Sequence, residues 1–165
     1  MYIISKLKQF GLQIEELITA WRSIIRPITE YAVPLWHSGL TEGDSYRIEL
    51  LQKKALSFIL GTVYIDNKRY YKLNNVHLRY NDALEKLGLT TLNERRVVLT
   101  NKFAIETARN ESHNDMFIKK QSNTIATRNN FVLLEPYCRT ERYFKSAIPY
   151  MTWTLNGVYL SKKKI

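Results

Sequence analysis

Ser23 to Gly61 reads SIIRPITEYAVPLWHSGLTEGDSYRIELLQKKALSFILG, and the spacing of its apolar residues decides the fold class. Into it runs a stripe formed by Ile14, Leu17, Ile18, Trp21, Ile24 and Ile28, which recur at i, i+3, i+4 and i+7 along one helix face. Pro27 lacks an N–H and crowds the preceding turn. The spacing therefore predicts a helix from Gln13 to Ile25, then a kink or fresh start at Pro27. Tyr31, Leu35 and Trp36 carry apolar surface on to a loop from His37 to Leu40. Thr41-x-x-Asp44 resembles a capping box, in which both side chains satisfy first-turn N–H groups. The helix it opens is expected to end at Leu60, with Gly61 as a left-handed stop. Ile48, Leu51, Ala55 and Ile59 form its expected buried stripe, while Arg47 and Lys54 share another face with Lys53 beside it.

Outward from that stretch, Tyr2 to Phe10 reads as a short helix stopped by Gly11. Thr62 to Arg79, TVYIDNKRYYKLNNVHLR, reads as an irregular loop in which Lys68, Arg69 and Lys72 interleave with Tyr70 and Tyr71. Such a loop suits single-stranded nucleic acid, and it equally suits an exposed connector of ordinary composition. Asn81 is expected to cap a short helix stopped by Gly88, and Thr90 or Thr91 to cap a longer one ending near Arg109. Leu92, Leu99 and Phe103 would form its apolar face, with Val98 and Ile105 beside them. Arg95 and Arg96 oppose the helix dipole in its first turn unless Glu94 or an anion compensates. Asn110 to Asn130 is polar and reads as a flexible linker. From Phe131 an extended stretch leads to a final helix, with Ser146 as cap and Pro149 in its first turn, then a loose basic tail. The expected fold is mostly α: a small helical bundle followed by further helices, with little or no strand. The expected divisions are 1–61, 62–79, 80–110, 111–130, 131–157 and 158–165.

The chain has 165 residues, 45% of them hydrophobic, enough for one domain or two small helical layers. No apolar run is long enough to span a bilayer, and MYIISKLKQFG is too short and polar for a signal peptide. One cysteine excludes an intrachain disulfide, which fits a reducing compartment. The net charge of +10 points to a polyanion or to a soluble basic protein without one. Nucleic acid ranks above an anionic membrane, because no helix pairs a basic face with a bare apolar one.

Three blocks carry a family resemblance. IRPITEYAVPLWHSGLT followed by QKKALSFILG resembles the thumb segment after the polymerase palm in non-LTR (LINE-type, jockey-like) retrotransposon reverse transcriptases. That family has an IRP-x-LEYA-x-P-x-W run and then a VQKRALRIILG run. NDALEKLGLTTLNERRVVLTNKF and YCRTERYFKSAIPYMTWTLN are similar to two later blocks of the family, in the same order. The stretch between the first and second blocks is longer than the family usually has. The resemblance implies a C-terminal fragment of an RNA-directed DNA polymerase whose palm and fingers precede it, so Met1 reads as an artificial or fortuitous start. It implies partners in nucleic acid and in those missing domains, a nuclear and cytoplasmic location, and no membrane. In the full enzyme, element RNA would be copied into DNA from a nicked chromosomal primer.

The chemistry of the chain agrees with an incomplete enzyme. Polymerases hold two divalent metals on paired aspartates. In the family these lie in a palm motif that would bind Mg2+, whereas Asp44, Asp66, Asp82 and Asp115 are isolated here. No polymerase activity is expected of these residues alone, and no cofactor. One cysteine and the scattered His37, His77 and His113 do not make a zinc set. Cys138 beside Arg139 reads as structural, with a lowered thiol pKa as the functional alternative. By resemblance, Arg47, Lys53 and Lys54 are the first candidates for phosphate contact. Arg22 and Arg26, one turn apart, come next, then Arg139 and Arg142. For each, a solvated face with i,i+4 partners such as Glu49 or Glu30 stands as the alternative. Trp21, Trp36, Tyr31 and Leu35 read as core rather than stacking platforms. A stand-alone basic helical DNA- or RNA-binding module, or an interaction domain derived from a retroelement, remain the other functional readings.

Overall fold

The computed structural model describes residues 2–119 and 133–162. The chain divides into two compact units, Met1–Tyr31 with Thr41–Arg95, and Ala32–Leu40 with Arg96–Ile165. Both are built mostly from helices, as the apolar periodicity predicts.

The first unit opens with α1 (Tyr2–Gln9) and α2 (Ile14–Ala20). Next comes a π-helical turn, Trp21–Ile25, and then α3 (Arg26–Glu30), with Pro27 in its first turn. The wider turn is where the Pro27 kink is accommodated: the Arg26 N–H reaches back five residues to the Trp21 carbonyl. α5 (Glu42–Leu60) is the longest element of the unit, and it starts and stops where expected. The Thr41 hydroxyl oxygen accepts from the Asp44 N–H at 3.1 Å. The reciprocal half of the box is replaced, because the Asp44 carboxylate accepts the Thr41 hydroxyl at 2.7 Å. Gly61 ends the helix at φ 84° and ψ 160°, a conformation essentially open only to glycine. Lys8 of α1 adds a cation at that end, donating to the Phe58 and Ile59 carbonyls at 2.8 and 2.9 Å.

The expected stripe of α5 is rotated. Leu51 is 39% exposed, and the buried residues are Gln52, Ala55, Leu56, Ile59 and Leu60. The apolar ones pack with Ile4, Leu17, Trp21, Tyr71, Ala83 and Leu84 into one core.

The expected irregular loop after Gly61 is instead a three-stranded antiparallel meander in the order β1 (Thr62–Ile65), β2 (Lys68–Leu73), β3 (Val76–Leu78). Two-residue turns make it. Asp66 and Asn67 lie at φ 48° and 57°, Asn74 and Asn75 at 46° and 64°. Both pairs therefore have the double positive φ of the hairpin turn that matches strand twist. Asp and Asn tolerate that region without glycine. Tyr71 is paired with Thr62 and Leu78 and is buried. Period-two alternation then turns Lys68, Tyr70 and Lys72 to the opposite face. α6 (Tyr80–Lys86) begins one residue before Asn81, which is not its cap, and ends in a left-handed Gly88 at φ 58°.

α7 (Leu92–Arg109) is opened by a reciprocal cap: Glu94 N–H to Thr91 Oγ1 at 3.2 Å, and Thr91 N–H to Glu94 Oε2 at 3.1 Å. Its buried positions are Leu92, Arg96, Thr100, Ala104 and Thr107, while Val98 and Phe103 are exposed. The expected face is out of phase, because the real one is made largely of small and polar residues. Arg95 is compensated by Glu30, not by Glu94.

The second unit contains α4 (Val33–Trp36), a 3-10 turn at His37–Gly39, and much of α7. A second 3-10 stretch, Glu111–Met116, replaces the start of the expected linker; residues 120–130 of that linker lie outside the described residues. α8 (Glu141–Phe144) and α9 (Ala147–Lys162) complete the unit, so helix also covers much of the expected loose tail. Ala104, Phe117, Leu133, Met151 and Leu155 form its core. Asn156, fully buried, accepts the Leu133 N–H at 3.0 Å and donates to the Leu133 carbonyl at 3.2 Å. One amide thereby satisfies both polar groups of a buried peptide position. Tyr31 and Leu35, expected in the core, are 81% and 64% exposed.

His37 sits edge-on to Tyr150, ring centroids 5.8 Å apart. Burial, and then the charge of Arg96, lower its pKa below the ordinary 6.5. The folded chain therefore holds a neutral imidazole that the unfolded chain protonates more readily. Stability from this group is present above pH 6.5 and is lost as pH falls below it. Thermal melts between about pH 7.5 and about pH 5 should show this loss, and His37→Gln should flatten that part of the profile.

Candidate nucleic-acid interface

The candidate interface lies in the first unit and begins with the side of α5 that faces away from the core. Arg47 is exposed and pairs loosely with Asp44 at 3.5 Å, a contact worth at most about 0.5 kcal/mol. Lys54 is exposed one face-repeat later. Lys53 is held differently: its ammonium lies 4.8 Å from the Tyr46 ring centroid and 5.0 Å from that of Tyr80. Two rings fix the position of that charge and leave it without a carboxylate partner among the described residues.

Tyr80 is itself fixed. Its hydroxyl donates to Glu49 and accepts from Gln52 Nε2 at 3.2 Å. Burial, then the bond to Glu49, keeps that hydroxyl protonated far above the ordinary tyrosine range. Gln52 Nε2 also donates to the Thr90 carbonyl at 2.9 Å, and the Leu92 N–H donates to Glu49 at 3.3 Å. Glu49 is thus committed to Tyr80 and the start of α7, and it does not neutralise Lys53.

Beside Lys53 opens a shallow groove lined by Lys68, Arg69 and Tyr70 of β2 and by Arg79, Tyr80, Asn81 and Asp82. Four cations thus face one carboxylate. Arg69 donates from Nε and Nη2 to the Tyr64 hydroxyl at 3.0 and 2.8 Å, and that bond raises its pKa further.

Two sequence candidates belong elsewhere. Arg22 Nη2 donates to the Leu87 and Gly88 carbonyls at 3.0 and 2.8 Å, so it caps the end of α6. Arg26 lies 3.3 Å from Glu30, which also takes Arg95, and burial followed by the nearby Arg95 lowers its pKa. Both guanidiniums hold the fold together. Arg139 and Arg142 are exposed in the second unit, where Arg142 lines an open groove with Leu35, Trp36 and Tyr143. Cys138 donates weakly to the Pro136 carbonyl at 3.3 Å. Sequence reasoning passes over Arg79 and gives Lys68, Arg69 and Tyr70 as residues of an irregular loop, suited to single-stranded nucleic acid or to a plain connector. The signal for them is the run between two Asp/Asn turns.

Among the described residues no group of three or more His, Cys, Asp and Glu is placed to hold a metal ion. Among them, too, no helix is long and apolar enough to cross a membrane. No protein-family model matches the chain, and neither does any curated protein or solved structure.

This sorting of cations has a direct consequence. Arg22→Ala strands two carbonyls and should destabilise the chain by about 1–2 kcal/mol. Lys54→Ala should change stability by less than about 0.5 kcal/mol. Urea unfolding of the two variants beside the parent chain checks the contrast.

Proposed function

We propose that the chain is the thumb-bearing C-terminal part of a non-LTR retrotransposon reverse transcriptase, lacking the palm aspartates. In this reading it holds a template–primer duplex by contacts to phosphate. The observation that carries the reading is α5, whose QKKALSFILG run is the core of the resemblance. One face of this helix is buried, and Arg47, Lys53 and Lys54 leave it on the solvent side.

Two further features support it. Lys53 keeps its charge available because Glu49 is committed to Tyr80, and Arg47 and Lys54 stand exposed on the same helix. Point charges along one face of a helix suit a backbone that repeats regardless of sequence. In this reading the chain grips the duplex, and bond formation is left to the parent enzyme's palm.

Anisotropy titrations of a labelled RNA–DNA duplex over a salt series test this reading. The logarithm of affinity should fall linearly with log salt. Changing Arg47, Lys53 and Lys54 together to Ala should reduce the slope by about two to three. A folded chain with no salt-dependent binding would leave the charge without a partner and end the proposal.

A further inference from the structure

The meander offers a surface that duplex binding does not use. Its inner face is sealed by Tyr71 and Leu78 against the core. Its outer face carries Lys68, Tyr70 and Lys72 at alternate positions of β2. Tyr70 is half-buried and borders the groove beside Lys68 and Arg79. Among the described residues none of Lys68, Lys72 and Arg79 forms an ion pair.

A cation, a ring and a second cation in line along a strand suit an unpaired nucleic-acid strand. Its bases expose flat faces to a ring, and its phosphates lie at each side. A duplex has its bases stacked inside and offers a lone tyrosine nothing to stack on. The β-strand is also rigidly placed, since both of its turns are tight and its neighbouring residue Tyr71 is locked in the core. A ring carried on a placed strand loses less freedom on binding than one on a free loop.

We propose that this face and the groove beside it bind a single-stranded nucleic-acid segment, with a base on Tyr70 and phosphates on Lys68, Lys72 and Arg79. The inference deepens the nucleic-acid reading above and rests on it. The chain then holds duplex along α5 and an unpaired strand on the meander.

The test compares a fluorescein-labelled oligouridylate with a labelled RNA–DNA hybrid of the same length. Tyr70→Ala should weaken the oligouridylate roughly 5- to 100-fold and the hybrid less than about twofold, while Tyr70→Phe keeps both. Should Tyr70→Ala fail to fold by circular dichroism, the double variant Lys68→Glu/Arg79→Glu decides, since both residues are exposed. It should weaken the oligouridylate more than about tenfold and the hybrid much less. Hybrid binding with oligouridylate affinity unmoved by these changes overturns the inference alone, as does an equal loss on both probes. Failure of the parent chain to bind either probe overturns the broader reading and this one with it.

Discussion

Glu49 and Gln52 are one turn apart on α5, and through them the helix is fastened to the segment beyond the meander. Glu49 takes the Tyr80 hydroxyl and the Leu92 N–H; Gln52 gives its amide protons to Thr90 and Tyr80. All four of these bonds reach residues 28 to 43 positions away. A half-buried carboxylate and a buried amide are unfavourable unless they find such partners. Once they do, α5, the start of α6 and the start of α7 have a fixed relation. Lys53 is then set between Tyr46 and Tyr80, and Arg79 is set beside the groove. The arrangement of charge on this unit depends on that polar knot as much as on the apolar core.

Much of the framework is legible in the sequence because its signals are local. Thr41 and Gly61 bound α5, Thr91 with Glu94 opens α7, and Pro27 coincides with a change of helical register. Each needs only a few neighbouring residues to act. The errors have the opposite character. Gln52 replaces Leu51 in the buried face because its amide meets partners far along the chain. Arg96, Thr100 and Thr107 line the hidden side of α7, where an apolar count looks elsewhere. The meander escapes notice because its turns use Asp-Asn and Asn-Asn, and the stronger glycine signature is absent.

The candidate site divides along the same line. That Arg47, Lys53 and Lys54 lie off the buried stripe follows from helical spacing. That Arg22 and Arg26 are structural does not, since Arg22 finds carbonyls 65 and 66 residues away and Arg26 shares Glu30 with Arg95. Composition alone counts every cation equally. The fold separates those that close helix ends and buried pairs from those that keep their charge at the surface, and in the first unit the second kind gather on α5, β2 and the approach to α6.

Lysine footprinting tests that gathering most directly. The chain would be acetylated with and without saturating RNA–DNA hybrid carrying a single-stranded overhang, and each site read by mass spectrometry. The account predicts protection of Lys53, Lys54, Lys68 and Lys72, with Lys6 and Lys102 unchanged. Bound nucleic acid that leaves those four as reactive as before, or that protects lysines elsewhere instead, would contradict it.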